Sequence, residues 1–411
     1  MIFKNKNIKV FFENFLALMA NKVVNIIVPL IVLPYLIVTV GAENYGEYAF
    51  IYSIVFYLLT ITQYGFSLSA VKAISRNKGN PYELNKIFNN VISTKLFLFL
   101  FTTLIIVATF FILDDNNSKG FILLTTYLIV LGDVLNPIWF FQGIEKMRNI
   151  TIVNSILKTT YLVLVFVFIK EKGDYVYIGL LQSIGFVLSG AISLLIAIKS
   201  YNLKIELSKI SVIKEYLIEG FSSFVTLIVP SLYVNTSIFF MGILGFNVHV
   251  TYFESAYKIS NGFASISQIL SNVFYPFASR VKNRFKKIRN ILLTTGLLLS
   301  IVCFLGAEII YGLLFSNDLD EGIIVLRILS LTPLILSIRS AYGLNYLLVN
   351  NKDVLYMKIA IFSSISGFII GLISIPLYKS LGAAFAVVIA QGVFGLLSYI
   401  YTNRILKKPE F

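Results

Sequence analysis

The sequence predicts an all-α integral membrane protein: twelve transmembrane helices in two six-helix lobes around a central cavity. Three observations predict it. Of 411 residues, 57% are hydrophobic and only 13% charged, whereas soluble domains carry roughly 25% charge. Mean hydropathy is +0.85. Apolar runs recur along the whole chain, each long enough for a bilayer that needs ~20 residues, and several keep their polar side chains to one helical face.

The first span, near 12–38, carries Lys22 at its middle. Asn14, Asn21 and Asn25 share its face, because steps of three and four keep helical side chains in register. A buried ammonium costs at least ~2.5–3.5 kcal/mol on insertion scales, so this face should look onto protein or a wet cavity. Pro29 and Pro34 follow as expected bends. The basic start, MIFKNKNIK, precedes a run too long for a signal peptide, so the span is expected to be retained. Five more spans are expected near 47–70, 86–112, 120–142, 150–169 and 175–198. A lysine-bearing stretch at 199–214 separates them from six others, near 216–244, 250–277, 290–315, 322–349, 354–376 and 381–403. The expected organisation is therefore an N-terminal lobe at 1–198, a cytoplasmic linker at 199–214 and a C-terminal lobe at 215–411. Ile27-Val28-Pro29 recurs as Ile228-Val229-Pro230, and Ser75-Arg76 as Ser279-Arg280, as expected of related halves that share orientation.

Charge sets the orientation. Outer loops hold only Lys119, Lys170, Lys172 and Lys379 of the 34 Lys and Arg, and most of the rest fall in the opposite loops. The positive-inside rule then places both termini in the cytoplasm. The same rule accounts for the net charge of +14 without nucleic acid as a partner. A single cysteine, Cys303, excludes a disulfide framework or a cysteine-based metal site.

Four helices show polar stripes: the Lys22 face; Ser53, Tyr57, Thr60, Tyr64 and Ser67; Ser223, Thr226, Pro230, Tyr233 and Ser237; and Glu254, Lys258, Asn261, Ser265, Gln268 and Asn272. These are the first two helices of each half. Such side chains either glue helix to helix or line a shared aqueous cleft. Candidate cationic contacts for a substrate are Lys22, Lys258 and Arg339, with Asn21, Asn25, Thr60, Thr226, Asn261 and Gln268 lining the cavity. Glu254 stands four residues before Lys258 and could simply neutralise it. Asp133 could pair with Lys95 or Lys158, or bind a coupling ion; Glu254 is a second candidate for ion coupling. Gly367 and Gly371 form a GxxxG expected to mark close helix packing.

Soluble-enzyme chemistry is not signalled. The chain has no phosphate-binding glycine loop, HExxH or CxxC, and His249 is alone at an outer-loop edge, so no cofactor or metal is expected. A membrane glycosyltransferase or glycan polymerase should carry a long outer loop with catalytic side chains, and these loops are short. A multidrug exporter should have an acid-rich cavity, whereas the intramembrane bases outnumber the acids.

Several stretches carry a resemblance: Leu33-Pro34-Tyr35-Leu36 with Gly41, Tyr45-Gly46-Glu47-Tyr48, Tyr64-Gly65-Phe66, and Trp139-Phe140-Phe141-Gln142-Gly143-Ile144-Glu145-Lys146-Met147. Together they resemble the bacterial polysaccharide (O-antigen type) flippases. That superfamily also holds multidrug-and-toxin extruders and the lipid II flippase. The resemblance implies lobes arranged as a V around the cavity. It also implies an undecaprenyl-diphosphate-linked oligosaccharide as substrate, moved from the inner to the outer leaflet of the bacterial cytoplasmic membrane, with other polysaccharide-assembly proteins as further partners. Family members have cationic side chains in lobe-facing helices, a role that passes to Lys22 and Lys258 by helix position. The tryptophan run is given a gating or packing role. The chain ends after the twelfth span, without the lipid II flippase's two extra helices, which makes a lipid II substrate the weaker expectation.

Overall fold

The computed structural model describes residues 5–113, 118–229, 232–280, 285–315 and 320–407. Among these residues no strand occurs, and the α-helices are α1 (Asn5–Val40), α2 (Ala42–Gln63), α3 (Phe66–Arg76), α4 (Pro81–Leu113), α5 (Ser118–Val134), α6 (Ile138–Gly143), α7 (Met147–Phe168), α8 (Ile178–Tyr201), α9 (Ile210–Ile228), α10 (Leu232–Ile243), α11 (Asn247–Arg280), α12 (Phe285–Leu305), α13 (Ala307–Leu314), α14 (Asp320–Leu329), α15 (Thr332–Ile338) and α16 (Asp353–Lys407). Each expected span falls on helix, with Pro230 outside the described residues. Nine stretches among the described residues are long and apolar enough to cross a membrane. The longest of them, Asp353–Leu406, holds two expected spans, because α16 breaks at Lys379 (φ 49°, ψ −120°). Helix α11, which bears the longest polar stripe, is not among the nine. The chain forms two compact units: Met1–Val40 with Ile51–Ile228, and Gly41–Phe50 with Val229–Phe411.

In the first unit α1 lies along α7, and the Tyr35 hydroxyl donates to the Ile169 carbonyl at 2.6 Å. Helices α5 and α8 meet through small residues. A Cβ on Gly190 would come 2.2 Å from the Gly132 oxygen, so the backbones approach as only glycine permits. The helix is interrupted between α2 and α3 at Tyr64 (φ 41°) and Gly65 (φ 74°). A Cβ on Gly65 would lie 2.6 Å from the Phe224 nitrogen, and Tyr64 stacks on Phe224 at 5.0 Å. Helix α6 buries Trp139, Phe140 and Phe141 in a core with Phe66, Ile74 and Phe88. The tryptophan run therefore packs.

The 199–214 stretch is held against α4. After Asn202, which ends α8 in a left-handed turn, the extended chain is bonded by a row of α4 side chains. Lys204 N–H donates to Asn85 Oδ1 (2.8 Å), Asn89 Nδ2 donates to the Lys204 carbonyl (2.9 Å), Glu206 N–H donates to Asn89 Oδ1 (3.2 Å), and Ser208 N–H donates to Ser93 Oγ (2.9 Å). Residues 85, 89 and 93 are one helical face, so α4 offers amides and hydroxyls where a second strand would offer its backbone. Asn89→Ala removes two of these bonds, ~2 kcal/mol together. Trypsin cleavage of the purified protein after Lys204 or Lys209 is expected to rise roughly thirty-fold; an unchanged rate would mean that other contacts hold the segment.

In the second unit the first turns of α2 pack against α10 and α11. The Thr251 hydroxyl donates to the Ala42 carbonyl at 2.6 Å. A Cβ on Gly46 would overlap the Asn247 oxygen at 1.8 Å. Close approach thus explains the glycine of Tyr45-Gly46-Glu47-Tyr48. Helix α15 continues as a π-helix, Arg339–Leu348, whose Asn345 Nδ2 donates to Ser271 Oγ (2.7 Å) and to the Ser340 carbonyl (3.0 Å). Either side of the Lys379 break the arms of α16 pack at the GxxxG: Gly367 faces Ala390, and Gly371 faces Ala386.

Candidate functional site

Two lysine–carboxylate pairs on the helices, one in each unit, differ in kind. In the first, Lys95 of α4 reaches Asp133 of α5: its Nζ lies 2.9 Å from Oδ2 and donates to the Asp133 carbonyl at 2.7 Å. Gln63 Nε2, at the end of α2, donates to Oδ1 at 3.1 Å. Lys95 is 3% exposed and Asp133 15%. Of the partners open to Asp133 from sequence, the structure selects Lys95. The ammonium also caps the C-terminal end of α5, where the orphan carbonyls and the helix dipole favour a cation.

In the second unit Lys258 Nζ lies 2.5 Å from Glu254 Oε1, with the side chains 33% and 13% exposed. It also donates to the Tyr45 hydroxyl at 3.0 Å. The neutralising contact that the four-residue spacing allows is in place. The other carboxylate oxygen, Glu254 Oε2, is buried with no hydrogen-bond partner among the described residues. Asn261 and Gln268, further along α11, are exposed, while Ser265 between them is buried.

Arg339 opens the π-helix and lies inside the second unit. Its guanidinium covers the Phe394 ring at 4.3 Å and donates to the Tyr356 hydroxyl at 3.4 Å. Tyr233, Ser363, Ser364 and Gln391 line the small cavity beside it. Cation–π contact and hydroxyls stand where a carboxylate would be expected. In the first unit Lys22 is half-buried on α1 and Asn25 is exposed. Thr60 turns its hydroxyl onto the Phe56 carbonyl at 2.8 Å. The side chains of Asn21 and Thr226 lie outside the described residues.

Sequence reasoning missed Gln63, Tyr45 as the second partner of Lys258, and the aromatic bed of Arg339. It also took His249 as solitary. The structure joins His249 Nδ1 to Glu321 Oε1 at 2.9 Å, with the Ser380 hydroxyl donating to the same carboxylate. Three helices that are distant in the chain meet there, so no local spacing could have signalled it.

An all-helical bundle with apolar flanks and ionised side chains well inside its spans defines a polytopic membrane protein. The chain belongs to the family described as "Polysaccharide biosynthesis protein", which matches residues 11–282. It is 27% identical over 393 residues to an Escherichia coli K12 protein named "Putative O-antigen transporter", covering 93% of this chain and 94% of that one. A Shigella dysenteriae protein of the same name is 27% identical over 271 residues, covering 66% of this chain and 68% of that one. Among solved structures, an inward-closed form of the lipid II flippase MurJ matches with a TM-score of 0.72 at 17% identity, covering 97% of this chain and 88% of that one. An inward-facing multidrug resistance transporter of the MATE family, within the MOP superfamily, matches at 0.62 and 15% identity, covering 94% of each. The last two establish the fold that this chain shares with them.

Proposed function

We propose that this protein is a flippase that moves an undecaprenyl-diphosphate-linked oligosaccharide from the inner to the outer leaflet of the bacterial cytoplasmic membrane, for O-antigen or surface polysaccharide synthesis. The chain is a membrane transporter of its family and not an enzyme. One observation carries the finer reading: the match to the Escherichia coli relative runs over nearly the whole of both chains, not over a shared fragment.

The chemistry is consistent with it. A diphosphate carries about two negative charges and needs positive counter-charges along a wet path. Lysine meets a phosphate as a point charge, without the bidentate fork of arginine, which suits a ligand that must be released. Lys22 and Lys258 are the proposed phosphate contacts, and Arg339 a third cation. Asn21, Asn25, Thr60, Thr226, Asn261 and Gln268 are proposed to solvate sugars in a cavity between the two lobes. Rocking of the lobes would give alternating access, with both termini cytoplasmic and other polysaccharide-assembly proteins as partners.

Deletion of the gene, followed by mass analysis of lipid-linked glycans, tests the reading. Complete units should accumulate on the inner leaflet while surface glycan disappears. Incomplete units would indicate a transferase. Lost drug resistance with normal glycan would indicate a multidrug exporter, the second reading that the shared fold keeps open. Lys22→Ala is expected to abolish surface glycan at normal protein level. Unchanged glycan at that level would remove Lys22 from the substrate path.

A further inference from the structure

The second unit has a groove of about 570 Å³ between α12, the α15 π-helical continuation and the second arm of α16. Leu293, Leu297, Ile335, Ile338, Gly392 and Leu396 line it. A Cβ on Gly392 would meet nothing within 4 Å, so the glycine borders open space. Leu297 and Leu396 are 47% and 57% exposed, which places the opening on a face that meets hydrocarbon in a bilayer. From Gly392 to Tyr399 the groove runs about 10 Å along the helix.

One end of the groove is polar and cationic. Tyr342 and Tyr399 close it edge-to-face at 5.1 Å. Arg289, one turn before Leu293, interacts with the Tyr342 hydroxyl and donates to its neighbour Asn290 Oδ1 at 2.9 and 3.1 Å. Both partners are neutral, and among the described residues no carboxylate is within ion-pair distance of Arg289. Lys286 and Lys287 are exposed beside it, and α12 contains no acidic residue. An apolar slot with a cationic mouth matches an amphiphile with an anionic head and a hydrocarbon tail.

We infer that this groove binds an anionic phospholipid of the surrounding bilayer, with one acyl chain along Gly392 and its phosphate at Arg289. The site does not depend on what the protein carries. A bilayer supplies acyl chains to any apolar groove, and the basic mouth then selects the headgroup. One basic residue near the surface contributes about a five-fold preference, ~1 kcal/mol.

The test uses phosphatidylglycerol and phosphatidylcholine with the same diazirine-bearing acyl chain, in vesicles containing the full-length protein, with adducts mapped by peptide mass analysis. Phosphatidylglycerol should label 293–297 and 392–396 about five-fold more than phosphatidylcholine. Arg289→Gln should reduce the difference to parity. Gly392→Leu, which fills open space, should suppress labelling by both lipids without loss of protein. Equal labelling of the wild type by the two headgroups would overturn the proposal, as would a preference that survives Arg289→Gln. Stronger labelling by a diazirine-bearing polyprenyl phosphate would replace the phospholipid with an isoprenoid occupant.

Discussion

Lys95→Met is expected to remove most of the protein from the membrane. Lys95 is 3% exposed and its ammonium meets both a carboxylate oxygen and the carbonyl of Asp133. Methionine keeps the volume and takes away the charge. Asp133 then loses the cation that faces its carboxylate and keeps only the Gln63 amide. Breaking a buried pair from one side costs ~3–5 kcal/mol, a large fraction of the ~5–15 kcal/mol that holds a typical fold together. The end of α5 also loses its cap, just before Pro137 prevents the helix from continuing. Immunoblotting of membranes reads the outcome. Lys95→Met with Asp133→Leu removes both charges at once and should restore most of the protein, since exchanging a whole buried pair for apolar groups is often neutral.

The double variant also decides what Asp133 is for. Both of its carboxylate oxygens are occupied, Oδ2 by Lys95 and Oδ1 by Gln63, which leaves little for a coupling ion to bind. Restored surface glycan with restored protein would make the pair purely structural. Restored protein without glycan would return Asp133 to the coupling role that its position in the fourth span invites.

The two pairs also show how much could be read before the fold was in hand. Apolar runs located the helices, because each helix must satisfy its own backbone in lipid and so announces its length. The Glu254–Lys258 contact was legible because both partners are on one turn of one helix. Lys95 and Asp133 are 38 residues apart, and Lys258 and Tyr45 are 213 apart. Period and composition could flag each as an unusual charge but could not choose its partner. The Asn85, Asn89 and Ser93 row was visible as a helical face, but its occupant, the extended Leu203–Ser208 chain, has no periodicity that would point back to it. The glycines of the resemblance motifs were legible as motifs and opaque as physics: Gly46 and Gly65 are explained only by the backbones pressed against them.

Glu254→Gln should leave the protein in the membrane and change what it holds. The contrast with Lys95 is solvent. Lys258 is 33% exposed, so water and the Tyr45 hydroxyl can support the ammonium once its carboxylate is gone. The amide oxygen of glutamine can still accept from it. Under the proposed function, Glu254 is a resident anion that competes with the substrate diphosphate for Lys258. A diphosphate must displace it before the lysine can engage. Removing the competitor should tighten binding of the lipid-linked diphosphate roughly ten-fold, the scale of one charge-assisted hydrogen bond. Surface glycan should nevertheless fall, because a ligand held more firmly leaves more slowly, and release is part of every cycle. Binding of the purified variant to polyprenyl diphosphate, measured beside cell-surface glycan, separates the two effects. Adding Lys258→Met to Glu254→Gln should abolish the gain in affinity while keeping the site neutral. If Glu254→Gln binds the diphosphate no better than the wild type, Lys258 does not touch the substrate, and its bond to Tyr45 serves only to hold α11 against the first turns of α2.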